Sequence, residues 1–287
     1  MGTRKRRRGA GAWIGLSAAL LMLLILSRCH AAQATAAPEK AAPSGGAVAL
    51  MYHHLLPAEQ VGRLAGNSIV TTVEAFTEQL DWLQAEGFTT VTPQELCACL
   101  CGDKPFPKRA VLITFDDGYL SNAVYAYPLL KERGMTATVF LVTGVRGEPG
   151  QTMDTRLVQM MDADTIAATA DVFTFAPHTH DLHKVVARGC SALTAASADA
   201  VRADFCRSAE ALCGVPGSDA TVFSYPYGLY NDTVRAALKA EGVRLAFRAS
   251  SGVITRDCDR YALPRFPVDT TVSFAEFQRF FAALMVE

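Results

Sequence analysis

The chain has 287 residues, 50% of them hydrophobic and 19% charged, with a formal net charge of −1. That is long and apolar enough for one large domain or two small ones around a sizeable core. The near-zero balance excludes an electrostatic nucleic-acid binder, which would carry a basic face or stripe.

The basic residues that do cluster, Arg4 to Arg8, precede an apolar run from Ala12 to Leu26. At about 15 residues that run is within the range of a signal-peptide core and short of the roughly 18 expected of a spanning helix. Residues 1–34 therefore predict an export segment, either cleaved after Ala32-Gln33-Ala34 or kept as an N-terminal membrane anchor. Both outcomes put the rest of the chain outside the cytoplasm: extracellular, in the cell wall, or on the outer face of the membrane. Residues 35–46 have no periodic pattern and predict a flexible tether, leaving 47–287 as the catalytic domain.

Within 47–287 strands and helices alternate. Ala47 to Tyr52 is apolar and predicts the first strand, ending at His53 and His54. Phe76 to Glu86 has helical spacing and stops at Gly87; Phe88 to Val91 predicts a short strand; Thr92 to Glu95 opens a helix with a capping-box pattern. Ala110 to Phe115 is a strand, Asn122 to Arg133 a helix, Thr136 to Val142 a strand, and Asp171 to Ala176 another. Helix Ser197–Cys213, strand Thr221–Tyr225, helix Asp232–Ala240, strand Arg244–Phe247 and a closing helix Phe274–Leu284 complete the order. Strands that are apolar throughout predict a parallel sheet buried on both faces. About seven strands over this length fit one closed α/β barrel better than two domains.

Eight cysteines in an exported chain raise the question of a disulfide framework. Cleavage would remove Cys29 and leave an odd number. Cys206 and Cys213 lie on a predicted helix about 10 Å apart, beyond disulfide reach. Mostly free thiols are expected, and the Cys97/Cys99/Cys101 cluster lacks zinc-ribbon spacing.

The chemistry is concentrated at strand ends. Ala110 to Phe115 delivers two adjacent carboxylates, Asp116 and Asp117, and then Gly118. Two carboxylates at the tip of a buried strand repel and are costly to desolvate, so a metal, a base role or both would explain them. A β-turn that uses Asp-Asp-Gly only for its turn chemistry is the plain alternative. The strand at 171–176 delivers His178, His180 and His183, half of the chain's six histidines. One aspartate with two histidines and open positions is a usual catalytic site for zinc or a similar divalent ion. Asp116, Asp117, His178, His53 and Tyr227 all follow apolar strands directly, where a barrel of this class keeps its catalytic groups.

TFDDGY at 114–119, the histidine segment and SYPYG at 224–228 resemble, in order, three motifs of the polysaccharide deacetylases, carbohydrate esterase family 4 with its nodulation-protein homology domain. The resemblance covers roughly residues 47 to 280. MYHH at 51–54 is similar to the branch of exported biofilm poly-N-acetylglucosamine deacetylases. The resemblance implies a distorted (β/α)7 barrel in a single domain. It implies Asp117, His178 and His183 as ligands of a divalent metal, zinc first, with nickel or cobalt open. His183 is preferred to His180, although the family usually spaces its histidines four apart. The resemblance further implies Asp116 as general base and the peptide N–H of Tyr227 as oxyanion donor. Ser224 stands where the family usually has an arginine, and Arg265 is the candidate to supply that cation. No histidine follows His183, so His53, on the N-terminal strand as in the biofilm branch, is the candidate general acid.

The expected activity is metal-dependent removal of N-acetyl groups from an extracellular or cell-wall polysaccharide that contains N-acetylglucosamine, by a monomer. An O-acetyl esterase on xylan or another glycan, and a catalytically dead carbohydrate-binding protein, are the alternatives.

Overall fold

The computed structural model describes residues 45–62 and 68–285. The expected export segment 1–34 and tether residues 35–44 lie outside the described residues.

Strand β1 (Ala47–Tyr52) is buried along its whole length and runs, past His53, into β2 (His54–Leu56). β3 (Val70–Thr72) pairs parallel with β2. Its last residue, Thr72, accepts the Ala75 N–H and starts helix α1 (Val73–Ala85), earlier than the apolar spacing alone predicts. β4 is only Thr89–Thr90, and α2 (Pro93–Cys101) opens with the predicted capping box of Thr92 and Glu95. β5 (Ala110–Asp117) is followed by a π-helical segment, Asn122–Ala126, and α3 (Tyr127–Glu132), so the predicted helix is not uniform. Pro128 lacks an N–H and removes one rung of the α ladder, consistent with the wider turn before it.

β6 (Ala137–Leu141), α4 (Ala163–Ala168) and β7 (Phe173–Pro177) follow. A hairpin of β8 (Val185–Ala187) and β9 (Cys190–Ser191) leads through α5 (Ala192–Ala195) to α6 (Ala198–Leu212). The last elements are β10 (Val222–Ser224), α7 (Asp232–Ala240), β11 (Leu245–Phe247), β12 (Val253–Ile254), β13 (Phe266–Pro267), α8 (Phe274–Phe280) and α9 (Ala282–Met285).

β1, β5, β6 and β7 lie side by side and parallel; Ala47 faces Ala110, Thr114 faces Thr138, and Val139 faces Phe175. Beyond β7, Phe175 bonds to Gly217 and Asp219 just before β10, β10 pairs parallel with β11, and Phe247 bridges Leu263. β13 then returns parallel beside β1. The strands thus circle back on themselves as a distorted (β/α)7 barrel. Apart from the β8–β9 hairpin, one described strand departs from the parallel expectation: β12 runs antiparallel to β1, with Ala47 opposite Ile254. The short stretch after β11 contains no helical crossover, which a parallel return needs.

Tyr52, Phe76, Phe115, Phe173 and Phe175 are buried between the sheet and its helices. Each such side chain contributes about 1.5–3 kcal/mol through burial, and together they fix the register of β5. Cys97, Cys99, Cys101, Cys190, Cys206, Cys213 and Cys258 are free thiols.

Candidate active site

β5 ends in two left-handed residues, Asp117 (φ 71°) and Gly118 (φ 87°). A Cβ on Gly118 would lie 2.5 Å from the tip of the Leu141 side chain, which can shift, so it is the left-handed conformation that calls for glycine at this turn. The turn separates the two carboxylates, which enter different environments.

Asp116 faces the barrel interior and is 3% exposed. Arg265, fully buried, grips it with two parallel hydrogen bonds of 2.7 Å, one to each carboxylate oxygen. The same guanidinium donates to Thr114 Oγ1 at 3.0 Å and to Ser224 Oγ at 2.8 Å, and packs over Phe140 and Phe247. Ser224 Oγ in turn donates to Asp116 at 3.3 Å. Burial alone would raise the Asp116 pKa; the Arg265 charge, with His178 beside it, holds it well below the usual carboxylate range. The position where the family motif carries arginine is thus occupied by a serine that accepts from an arginine just before β13, in the chain's last part.

Asp117 Oδ1 lies 3.6 Å from His178 Nε2 and 3.2 Å from His183 Nε2. His178 Nδ1 donates to the Ser224 carbonyl at 2.8 Å, which fixes the tautomer and leaves Nε2 with a free lone pair. Burial lowers the His178 pKa to about 4, so the imidazole is neutral at physiological pH. The His183 ring lies tilted against Tyr227, centroids 4.7 Å apart, and its Nδ1 is 3.3 Å from the Tyr227 hydroxyl. Burial would lower its pKa, but the facing Asp117 outweighs that and raises it. The left-handed Thr179 (φ 77°) breaks the alternation expected along this segment. His180 therefore turns off the site, its Nδ1 3.1 Å from Thr143 Oγ1.

These three groups fit a divalent cation. Their donor atoms all lie within 4.8 Å of one another. Donors that share a metal at about 2.1 Å sit roughly 3.0–3.5 Å apart, near the two separations to Asp117. Asp117 Oδ1 is buried and has no hydrogen-bond partner of proper angle, a costly state for a carboxylate oxygen unless a cation meets it.

His53, half-buried between β1 and β2, sits close enough to bear electrostatically on both Asp116 and Asp117. Its neighbour His54 points elsewhere: it is buried, with Nδ1 2.7 Å from Ser121 Oγ and its ring against Tyr119. Tyr227 follows Pro226 in a left-handed conformation (φ 59°) and is the exposed wall of the site.

A family model described as polysaccharide deacetylase matches residues 103–246, just over half of the chain. The chain belongs to the polysaccharide deacetylase family. A poly-beta-1,6-N-acetyl-D-glucosamine N-deacetylase of Staphylococcus epidermidis is 30% identical over 232 residues, covering 77% of this chain and 78% of the relative. The structure of IcaB from Ammonifex degensii superposes with a TM-score of 0.69 at 26% identity, covering 85% of this chain and 99% of that one. The Streptococcus pyogenes deacetylase PplD, in complex with acetate, shares the fold at 22% identity and a TM-score of 0.69, covering 83% and 98%.

In this polysaccharide deacetylase the motif residues were legible and their supports were not. Thr114 and the Ser224 hydroxyl, which tie Arg265 in place, sit in buried strands where a small polar residue carries no local signal. Asp204, on α6, is 2% exposed and accepts two backbone N–H groups of the histidine segment. An acidic residue on an amphipathic helix looks like solvated surface, so only the fold reveals it.

Proposed function

We propose that the chain hydrolyses the acetamide of N-acetylglucosamine units in an extracellular or cell-wall polysaccharide, giving a free amine and acetate. The observation that carries this reading is the buried Asp117 Oδ1 facing two imidazole nitrogens, beside a second carboxylate held by Arg265. The relative named for poly-beta-1,6-N-acetyl-D-glucosamine supports the choice of sugar.

Asp117, His178 and His183 would hold the ion, for which zinc suits a set of two nitrogens and one oxygen. When bound, the ion supplies Lewis acidity to the acetamide carbonyl and to the attacking water. Asp116 accepts the water proton; Arg265 keeps it ionised and aimed. The Tyr227 N–H donates to the carbonyl oxygen as negative charge grows there. His53 delivers a proton to the leaving nitrogen, which cannot depart as an amide anion at neutral pH. The basic-then-apolar pattern of residues 1–34 supports export, with the domain released or anchored at the membrane.

The test is acetate release by the full chain, stripped with a chelator and reloaded with zinc, nickel or cobalt. Acetate from β-1,6-linked N-acetylglucosamine oligomers, only after reloading, is expected. Acetate from acetylated xylan alone would make the protein an esterase. Metal binding without turnover on any acetylated glycan would make it a binding protein.

A further inference from the structure

We infer that Asp204 is a positioning residue for the metal-ligating histidines, its carboxylate locking the turn that carries His183 to the site. The inference rests on the reading of Asp117, His178 and His183 as ligands.

The two histidines are anchored unequally. His178 continues directly from β7 and is pinned by the Ser224 carbonyl. His183 lies beyond a turn, its side chain 20% exposed, with Asp117 and Tyr227 at its ring nitrogens and the His178 ring beside it. Where His183 Nε2 sits is therefore set by the conformation of residues 179–182.

That turn is held from one side by Asp204. Oδ2 accepts the His180 N–H and Oδ1 the Asp181 N–H, both at 2.8 Å. Successive N–H groups converge on one anion only when the backbone curls, and the left-handed Thr179 provides the curl. From the other side, the Thr143 and Gly144 N–H groups donate to the Thr179 and His180 carbonyls at 3.1 Å each. Thr143 Oγ1 lies 3.1 Å from His180 Nδ1 and 2.9 Å from Ser208 Oγ, one helical turn along α6 from Asp204.

A carboxylate is an expensive way to satisfy two amides. Asp204 is nearly fully buried, and its cationic neighbour, Arg207, is half-exposed and 3.4 Å away. What the charge provides is two equivalent acceptor oxygens in a fixed plane, with bonds roughly twice as strong as neutral ones. An asparagine has one acceptor and would turn an NH2 group toward the second N–H. The lock spares the ion the entropy of ordering His183. Losing an outer support of this kind typically costs about 10- to 100-fold in metal affinity.

The experiment is a cobalt(II) titration of the metal-stripped full chain, read by its visible absorption, on wild type, Asp204→Asn, Asp219→Asn and His183→Ala. Asp219 is the control: a buried carboxylate that holds the start of β10 through Gln94 and Thr221, on the opposite end of that strand from the site. Asp204→Asn is expected to raise the cobalt Kd by about 10- to 100-fold and to alter the absorption envelope. Asp219→Asn is expected to melt earlier yet keep the wild-type Kd and spectrum. A wild-type Kd and spectrum in Asp204→Asn would overturn the inference. Should that variant not fold, amide exchange in the wild type decides. Cobalt must slow exchange of the His180 and Asp181 N–H more than that of Thr221, because coupling is reciprocal; equal slowing overturns the inference. A wild type without a cobalt signal, or a His183→Ala variant with an unchanged one, would instead overturn the ligand reading itself, and this inference with it.

Discussion

Burial makes a carboxylate harder to ionise, and at Asp116 a single side chain reverses that sign. Arg265 occupies both carboxylate oxygens and has no exposure of its own. Removing one member of a buried ion pair leaves the other uncompensated, at a cost of about 3–5 kcal/mol. Arg265→Met should lose about that much by denaturant unfolding at neutral pH. With the folded pKa depressed, the pair's contribution is full above the unfolded carboxylate value and is lost as pH falls through the folded one. In Arg265→Met that pKa should rise, so the acidic limb of the pH–rate profile moves toward neutrality; an unmoved limb would show that Asp116 is not the group that must be ionised. His53 is the complementary case. His53→Ala should keep metal binding and lower kcat by about 10²- to 10⁴-fold, and near-wild-type turnover on an N-acetylated glycan would remove it from the mechanism. At this scale the sequence was most readable where ionisable residues crowd together: Asp116-Asp117 and three histidines within six positions admit few inert explanations. Ser224, Thr114 and Asp204 were not readable, because each acts only on a neighbour brought in from elsewhere in the chain.

β1, β5, β7 and β10 are apolar runs that end where the candidate site residues begin, and β5 shows how the element aims its cargo. The last two ladder partners, Asp116 opposite Phe140 and Asp117 opposite Leu141, hold the backbone until the left-handed turn takes over. Gly118→Ala would place a methyl against Leu141 at φ 87°. Such left-handed strain costs about 1–3 kcal/mol. We expect Tm and metal affinity to fall together in this variant, because the relief of strain must move Asp117. Thr92→Ala, which removes the capping box of α2 far from the turn, should cost about 1 kcal/mol and leave metal affinity as it was. If Gly118→Ala binds metal as the wild type does, the turn is a matter of stability alone. Long, wholly buried strands such as β1 and β5 were readable from their composition. β4 falls inside the short strand expected at 88–91, whereas β12 and β13, two residues each, were not readable, since two residues carry no period. Nor was the β8–β9 hairpin, whose Val185 and Val186 are exposed and so mimic nothing a core strand would do.

Across the whole molecule, the barrel closes through contacts between the first strand and the last third of the chain, and its histidines make the metal-free state sensitive to acid. The alternating pattern predicted a closed barrel, but only the fold shows that Arg265 and β1 come together, since closure is a non-local event. Burial lowers the pKa of both His54 and His178 to about 4. In the unfolded chain each returns to about 6.5. Between those values the unfolded chain binds more protons than the folded one, so stability must fall as pH falls, by up to about 1.4 kcal/mol per pH unit for each histidine. His183 opposes this only above about 6.5, where its raised folded pKa makes the folded chain the stronger proton binder; below that it is protonated in both states. The two histidines can be separated. His178 titrates with the site, whereas His54 is a buried group whose Nδ1 meets Ser121 and whose Nε2 has no partner to stabilise a charge. Urea unfolding of the metal-stripped chain at pH 6.5, 5.5 and 4.5, inside that window, should show the midpoint dropping at each step. His54→Gln, which cannot titrate, should retain about half of that slope. A variant with the full wild-type slope would mean that His54 takes up its proton without cost, and that the cavity around Nε2 already accommodates the charge. Saturating metal should steepen the dependence further, since His183, whose pKa the facing Asp117 raises, must give up its proton to bind, and the stabilisation from a ligand grows with its effective affinity. A metal-loaded chain whose stability is less sensitive to acid than the stripped one would place His183 outside the coordination sphere.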